Sequence, residues 1–269
     1  PVNIPSDRMR GVATHEGSIN NRRVYAMKKI FAMLSFICCS VLFVLPAESC
    51  TIFAATGNDF VKDGGTLVGK TQDWKPQPSG IKLYNHMGTY RFYALVEGKT
   101  KDKMGSRGGI NEKGLVVVVS SASATPRKMR PQMSKKGNYI TNMLAECANV
   151  DEAIEATKGY GARNVILADK NSVALVEVSP EGELNIKRIN SGSVYHTNHY
   201  VTEEFMKFNY KKPSETSLTR YARISSLLET TAKPYTMDNF ISFVNDHHDG
   251  PNNSICRTGS EDNDIRTNS

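Results

Sequence analysis

Short apolar runs separated by turn residues recur from residue 51 onward, and they limit the folds that this chain can adopt. β-Branched residues are common in these runs, and Gly, Asn or Asp bounds most of them, which predicts antiparallel strands. Strands are predicted at residues 51–56, 66–71, 90–97, 115–119, 164–168, 173–178, 184–189 and 193–197, and a turn is predicted at 108–114. The strands therefore fall into antiparallel groups.

Helical patterns lie between and after these groups of strands. Residues 138–159 are predicted to be helical, with a break where Asn149 caps a second piece, and residues 217–228 are predicted to form another helix. Thr236 is a predicted cap for a further helix at 237–245. This order of elements favours sheets with helices packed outside them.

The segment before the first strand has the organisation of a secretory signal peptide. A basic start at 27–29 precedes an apolar run at 30–45, and Ala47 and Ser49 put small residues at the third and first positions before Cys50. The apolar run is about 16 residues long, whereas a membrane-spanning helix needs about 20. An uncleaved anchor and a lipoprotein acylated at Cys50 are the alternatives.

Cleavage after this leader would make Cys50 the first residue of the mature chain. Such a residue carries a thiol nucleophile and a free α-amine, whose unperturbed pKa is about 7.7–8.0. The amine can then accept the thiol proton, as the N-terminal amine does for threonine nucleophiles. Export and assembly of a catalytic group would thus follow from one cleavage.

Charge and composition exclude nucleic acid as a partner. The chain has 34 Lys and Arg residues and 27 Asp and Glu residues, which gives a net charge of +7. Six of these basic residues and three of these acidic residues precede Cys50, so the chain from Cys50 onward has a net charge of +4. These charges are scattered, and no basic stripe with interleaved aromatic residues is present in the sequence. No cofactor is implied.

The cysteine and histidine residues after the leader predict neither a disulfide scaffold nor a metal centre. Three cysteines remain, Cys50, Cys147 and Cys256, which is too few for a disulfide-stapled fold. Cys147 lies on a helical face and is interpreted as a buried structural thiol, with a Cys147–Cys256 bridge as the alternative. The Asp-His-His-Asp run at 246–249 lacks the spacing that zinc ligands usually show.

Several short motifs resemble those of the N-terminal-nucleophile cysteine hydrolases. Within them the chain is similar to the linear-amide group, which includes choloylglycine hydrolases, penicillin V acylases and the acyl-coenzyme A:isopenicillin N acyltransferase-like family. The motifs are Cys-Thr-Ile at 50–52, Gly-Lys-Thr-Gln-Asp-Trp at 69–74, Gly-Ile-Asn-Glu-Lys-Gly-Leu at 109–115, Thr-Asn-His-Tyr at 197–200, Ser-Leu-Thr-Arg-Tyr at 217–221 and Ile-Cys-Arg at 255–257. Their order and spacing carry the resemblance.

The resemblance implies an α+β fold, a four-layer αββα sandwich with antiparallel sheets, and it implies catalytic roles for five residues. Cys50 matches the nucleophile, and Asp73 matches the aspartate that holds the N-terminal amine and thiol. Lys70 stands where choloylglycine hydrolases carry arginine; either cation favours a thiolate, but lysine lacks the rigid guanidinium fork. Asn198 matches an oxyanion-hole asparagine, and Arg220 matches an arginine buried near the nucleophile.

Other positions are assigned less directly or depart from the family pattern. Ser121 and His199 are the predicted substrate-binding residues, although choloylglycine hydrolases have an asparagine near the former. Arg223 is expected to be solvated or paired, and Thr258 replaces a histidine of the acyltransferase-like pattern. Residues 259–269 are polar and lack periodicity, so the expectation is a truncated chain or a missing sheet edge.

Together these features predict three segments and one activity. Residues 1–26 are upstream sequence, 27–49 a signal peptide and 50–269 the hydrolase domain. The predicted protein is an exported hydrolase that cleaves a linear, non-peptide amide bond of a small-molecule N-acyl compound through an acyl-enzyme, without a membrane span in its mature form. An acyltransferase of the same fold and a non-catalytic secreted or lipoprotein binding module are the alternatives. A homo-oligomer is compatible with the sequence.

Overall fold

The structure is a computed structural model that describes residues 49–100, 102–130 and 138–268. The predicted leader apart from Ser49, and the upstream residues 1–26, lie outside the described residues. The strands are β1 Ser49–Thr56, β2 Thr66–Trp74, β3 Ser79–Tyr84, β4 Phe92–Gly98, β5 Met104–Asn111, β6 Val116–Ser121, β7 Arg163–Ala168, β8 Val173–Val178, β9 Leu184–Ile189, β10 Gly192–His196 and β11 Arg266–Asn268. The helices are α1 Tyr139–Glu146, α2 Val150–Thr157, α3 Glu215–Thr230, α4 Met237–Val244 and the short α5 Gly250–Asn253, with 3₁₀ turns at Arg127–Met129 and Met206–Phe208.

The strands form two antiparallel sheets. The smaller sheet has the order β10-β1-β2-β11, and the larger one runs in sequence order from β3 to β9. From β3 to β9 each strand pairs with the next strand along the chain, and helices α1 and α2 lie in the connection between β6 and β7. Strand β1 lies between β10 and β2, and Cys50 pairs with Gln72 of β2, whereas the pairing with β10 begins at Ile52.

Three apolar layers hold four layers of secondary structure together. Helices α1 and α2 pack on the larger sheet through a core that includes Leu144 and Val165. The inner faces of the two sheets meet at a second core that includes Ile52 and Ile166. Helices α3 and α4 cover the outer face of the smaller sheet at Phe53. The predicted αββα sandwich is confirmed.

Asn and Ser or Thr caps place the helix starts where the sequence predicts them, or close to them. Asn149 accepts the backbone N–H of Glu152 at the start of α2, as predicted. Thr236 forms a reciprocal capping box with Asn239 at the start of α4. Helix α3 begins two residues earlier than predicted, because the Ser214 side chain accepts the Ser217 N–H.

The sequence prediction is wrong about residues 108–111, which lie in β5 rather than in a turn. The glycines there allow close packing instead of chain reversal. A Cβ at Gly109 would stand 2.3 Å from the Tyr93 carbonyl oxygen and 2.7 Å from Leu144 Cδ1. Glycine inside a strand marks such close approaches as well as turns. The reversal occurs just afterwards, where Gly114 has φ +84°.

The polar tail also contributes a strand that the sequence pattern did not predict. Residues Arg266–Asn268 form β11 and pair with the edge of β2, Thr267 lying opposite Asp73. A three-residue strand is too short to show a hydrophobic period. The expectation of a tail without β-structure is therefore corrected.

One end of the larger sheet has an apolar inner face that is accessible to solvent. Strand β1 packs against β6, β7 and β8, whereas Ile81, Tyr93 and Ile110 on β3–β5 are 78%, 54% and 46% exposed. A cavity of about 680 Å³ lies along these side chains, and Thr267 of β11 forms part of its wall. The cavity thus adjoins the strand that reaches Asp73.

Candidate active site

Strand register places the backbone and the thiol of Cys50 among polar partners. Cys50 pairs with Gln72 across β1 and β2, and its Sγ lies 3.4 Å from Gln72 Oε1. The Cys50 N–H donates to Asn198 Oδ1 at 2.9 Å, and the residue is only 2% exposed. In this structure Ser49 is still attached, so the nitrogen is a peptide amide.

Asn198 is fixed by bonds to its backbone and to its side chain. It follows β10, its N–H donates to Ser217 Oγ at 3.0 Å, and its carbonyl accepts the Ser123 N–H at 2.9 Å. Its side-chain Nδ2 donates to the Ser121 carbonyl at 3.0 Å. A primary amide has two N–H protons, so this nitrogen retains a second donor. The predicted oxyanion residue is therefore held directly beside Cys50.

Arg220 links Asn198 to the backbone of Cys50. It projects from α3, is fully buried, and its Nη1 donates to the Cys50 carbonyl at 2.6 Å and to Thr51 Oγ1 at 2.9 Å. Its Nη2 donates to Asn198 Oδ1 at 3.0 Å. A planar guanidinium can make these bonds at once because its donors have a fixed fork geometry. The N–H and the carbonyl of Cys50 are thus both bound by predicted site residues.

Asp73 lies opposite Ser49 rather than opposite Cys50. Side chains alternate across a strand, so the Asp73 carboxylate shares the helix-facing side of the sheet with Arg220, whereas the Cys50 side chain faces the other sheet. The carboxylate is fully buried and accepts the Thr267 hydroxyl at 2.6 Å. Its Oδ2 lies 3.8 Å from Arg220 Nε and 3.7 Å from Arg257 Nη1.

The charges around Asp73 oppose the effect of its burial. Burial raises the pKa of this carboxyl by more than Arg220, the Thr267 hydroxyl and Arg257 lower it, so the net direction is upward. Within the part of the chain that the structure describes, Oδ2 accepts no hydrogen bond. Two guanidinium groups, those of Arg220 and Arg257, are thus the charged neighbours of this carboxylate oxygen within 4 Å.

Lys70 lies on the same face of β2 as Gln72, one row away from Cys50. Its Nζ donates to the Val119 carbonyl of β6 at 2.7 Å. A diagonal pair of this kind has Cα atoms about 7–8 Å apart. The structure therefore places Lys70 near the predicted nucleophile but bonded to a backbone carbonyl, and its catalytic role stays a prediction.

The two predicted substrate-binding residues contact the site through their hydrogen bonds. The Ser121 carbonyl accepts the Asn198 amide, as described above. His199 is buried, and its Nδ1 lies 2.9 Å from Ser217 Oγ, the same hydroxyl that binds the Asn198 N–H. Burial, together with His196, lowers the pKa of His199 to about 4, so its ring is neutral at pH 7. Contact with a substrate stays a prediction for both.

Several residues of the network were missed at the level of the sequence. Gln72 and Ser217 lie inside the motifs quoted above, so their positions were visible but not their roles. Arg257 was also inside a motif, whereas Thr267 lies in the polar tail and has no sequence signal. The structure adds these four residues to the candidate site.

Other clusters singled out from the sequence have ordinary structural partners. Arg223 pairs with Asp246 at 2.6 Å. Within the described segments, no three His, Cys, Asp or Glu side chains are grouped so as to hold a metal ion. No disulfide joins Cys147 and Cys256, which rules out the alternative bridge between them. Over the same segments, every helix is too short or too polar to cross a membrane.

Comparison with known proteins gives one family match. Residues 61–267 match the model of the family described as acyl-coenzyme A:6-aminopenicillanic acid acyl-transferase. A comparison with curated proteins gave no significant match.

Solved structures that match part of this chain include a hydrolase and an acylase. One is a mutant of conjugated bile acid hydrolase from Clostridium perfringens, with 18% identity and a TM-score of 0.43 over 58% of this chain and 54% of that chain. Another is penicillin V acylase from Agrobacterium tumefaciens, with 15% identity and a TM-score of 0.28 over 52% of this chain and 49% of that chain. This chain thus aligns with about half the length of either structure.

Proposed function

Because this chain belongs to the acyl-coenzyme A:6-aminopenicillanic acid acyl-transferase family, we propose that it is an N-terminal-nucleophile acylase whose nucleophile is Cys50. In this proposal it cleaves the amide bond of a small N-acyl compound through a thioester at Cys50. The observation that carries the proposal is the double fixation of the Cys50 backbone. Asn198 accepts its N–H at 2.9 Å, and Arg220 donates to its carbonyl at 2.6 Å.

Cleavage of the Ser49–Cys50 peptide bond would convert the bound amide into an α-amine. The amine takes the thiol proton, and the sulfur electron pair forms a bond to the acyl carbon of the substrate. The tetrahedral intermediate then collapses, the C–N bond breaks, and the leaving nitrogen takes the proton back from the ammonium group. Water, deprotonated by the same amine, attacks the thioester, which releases a carboxylic acid and restores the thiol.

Asn198 is positioned to stabilise the oxygen that becomes negative in this step. Its Nδ2 holds one proton on the Ser121 carbonyl and retains the second. Removal of one oxyanion donor typically lowers the rate by about 10²–10³. We expect a loss of that size for Asn198→Ala, provided that the backbone of Cys50 keeps its bond to Arg220.

The apolar cavity beside the site suits the acyl part of such a substrate. Its volume of about 680 Å³ is in the range of small-molecule sites, and Ile81, Tyr93 and Ile110 line it. Thr267, which binds Asp73, stands on its wall. An acyl group that lies along these strands would bury apolar surface next to the network.

The leader pattern at 27–49 supports export before this activation. Intact mass of the secreted protein is the first test, and a mature chain that begins with free Cys50 is expected. Active protein that retains the leader would refute the mechanism. Incubation with a panel of acyl amides should then add one acyl mass to the wild type and none to Cys50→Ala.

Cys147→Ala is the matched control for that substitution. Its thiol lies in the core between α1 and the larger sheet, remote from the network. We expect this variant to form the acyl-enzyme like the wild type. Acyl transfer that persists in Cys50→Ala would exclude Cys50 as the nucleophile.

The name of the matching family favours a second candidate, transfer of the acyl group to an amine instead of water. Both reactions pass through the same thioester and differ in the acceptor. The two are separated by adding a primary amine to the reaction and measuring the ratio of N-acyl product to free acid. A ratio far above that expected from the amine concentration would identify a transferase.

A further inference from the structure

We propose that Glu177 is a positioning residue for Asn198, fixing the segment 196–202 so that its amide meets Cys50. The inference rests on the proposed function for its kinetic consequences. Glu177 is the second-last residue of β8, and it is 2% exposed. None of the family motifs in the sequence includes it.

The Glu177 carboxylate binds both ends of the segment. At one end, its Oε1 lies 2.8 Å from His196 Nε2. At the other end, the Val201 N–H donates to Oε1 at 2.7 Å, and the Thr202 N–H donates to Oε2 at 3.3 Å. The Thr202 hydroxyl also donates to Oε2. A single side chain therefore fixes the spacing between residues on either side of Asn198.

The backbone at the middle of the segment is held by neutral bonds, while the Asn198 side chain accepts a bond from the Arg220 guanidinium at 3.0 Å. The Thr197 carbonyl accepts Asn164 Nδ2 at 3.1 Å, and the Asn198 N–H donates to Ser217 Oγ at 3.0 Å. Hydrogen bonds to an ionised group are roughly twice as strong as neutral ones. The Glu177 carboxylate is therefore an ionised group that binds the segment on both sides of Asn198, and a shift of about 1 Å at a reacting group can lower a rate by about 10².

A buried carboxylate at this position needs its donors, because an unpaired buried charge is strongly unfavourable. Although burial raises the pKa of Glu177, His196, the Thr202 hydroxyl and the Val201 N–H outweigh it, and the net direction is downward. The group is therefore ionised at neutral pH. A glutamine would keep the shape but would direct an N–H₂ group at donors of the loop.

Glu177→Gln is the first test, with Glu181→Gln as its matched control. The control removes the same charge from an exposed turn four residues along the chain. We expect Glu177→Gln to lower the rate of acyl-enzyme formation at Cys50 at least tenfold, with KM changed less than about twofold. Glu181→Gln should behave like the wild type. Equal rates in the two variants would overturn the inference.

Chemical rescue separates positioning from general stability. A cavity of about 220 Å³ adjoins Glu177, and Lys187 and Tyr221 are among its lining residues. In Glu177→Ala this space should admit acetate, and acetate should restore part of the lost kcat, whereas neutral acetamide should not. Equal effects of acetate and acetamide would contradict the proposed role of the charge.

Hydrogen exchange provides a measurement that does not depend on activity. In Glu177→Gln the amides of residues 196–202 should exchange at least tenfold faster than in Glu181→Gln. If the wild type forms no acyl-enzyme, the proposed function fails, and this measurement still decides the inference. Unchanged exchange in that segment would refute it.

Discussion

Replacement of Arg220 by Met should show how much of the site depends on one buried guanidinium. Arg220 donates to the Cys50 carbonyl, Thr51 Oγ1 and Asn198 Oδ1, and it lies 3.8 Å from the Asp73 carboxylate. Met keeps the helix propensity and most of the volume, so the change removes mainly the charge and the donors. The Cys50 carbonyl would be left buried without this donor.

The expected loss of stability in Arg220→Met follows from the burial of the ion pair that Arg220 forms with Asp73. Removing one partner of a buried ion pair typically destabilises a protein by about 3–5 kcal/mol. Arg257 remains 3.7 Å from the same carboxylate, so the lower end, about 3 kcal/mol, is expected here. For a domain of this size that loss corresponds to a decrease in Tm of about 6–12 °C. A loss of about 3 kcal/mol is a large share of the total free energy of unfolding, which is typically about 5–15 kcal/mol.

Arg223→Met is the matched control, one turn further along the same helix. Arg223 pairs with Asp246, and the two side chains are 24% and 11% exposed. Pairs near the surface contribute about 0.2–1 kcal/mol, so this variant should lose about 1 kcal/mol or less. Urea unfolding at pH 7 and 25 °C measures both changes. If Arg220→Met were no less stable than Arg223→Met, the buried network would not have the energetic role argued here.

Three further outcomes follow from the structure. Gly109→Ala should destabilise the protein by about 1–3 kcal/mol in the same urea assay, because its Cβ would overlap the Tyr93 carbonyl. Gly80→Ala should be neutral, since no atom lies within 4 Å of the Cβ that it adds. Equal stabilities of the two variants would contradict the position of β5. Thr267→Val should remove the hydroxyl bond to Asp73 and raise the pKa of that carboxyl further. Infrared titration of the carboxyl C=O band should show this as an upward shift of its midpoint. An unchanged titration would argue against the bond. Because the pKa of His199 is lowered to about 4 in the folded protein, its contribution to the free energy of unfolding should be complete above about pH 6.5 and should decrease as the pH falls toward 4. In urea unfolding, His199→Gln should flatten this dependence on pH. An unchanged slope would refute the assignment.

The sequence predicts the elements whose pattern is local. Strands β8 and β9 match their predicted limits because turn residues around Asn171 and Gly182 mark where each strand begins. Strand β3 was missed because its alternation of apolar and polar residues is confined to 81–83, and β5 was missed because glycines in a strand resemble a turn. The missing information in both cases is tertiary: which surface a strand covers and how closely a neighbour approaches.

In the candidate site, too, residues with a local sequence motif were predicted and residues that act through tertiary contacts were not. Asn198 and Arg220 were found through motifs, and the structure brings both to the backbone of Cys50. Thr267 and Glu177 could not be found in that way. Each acts through a contact between residues distant in sequence, Thr267 with Asp73 and Glu177 with His196. Such contacts depend on strand register, which a single sequence does not specify outside apolar patterns.

Register also gives a physical reason why an α-amine would suit this site. Cys50 pairs with Gln72 and faces the other sheet, while Asp73 pairs with Ser49 and faces the helices. The thiol and the carboxylate are thus on opposite faces, and no side-chain rotamer of either residue turns it through the sheet. The backbone nitrogen of Cys50 lies in the plane between the two faces.

If Ser49 is removed as proposed, the resulting amine could accept a proton from the thiol on one side while the field of Asp73 favours its ammonium form from the other. In Asp73→Asn this field is lost, so the pKa of the amine should fall and the acidic limb of the pH–rate profile for acyl-enzyme formation should move to lower pH. An acidic limb that stays in place would show that the carboxylate does not act on the amine.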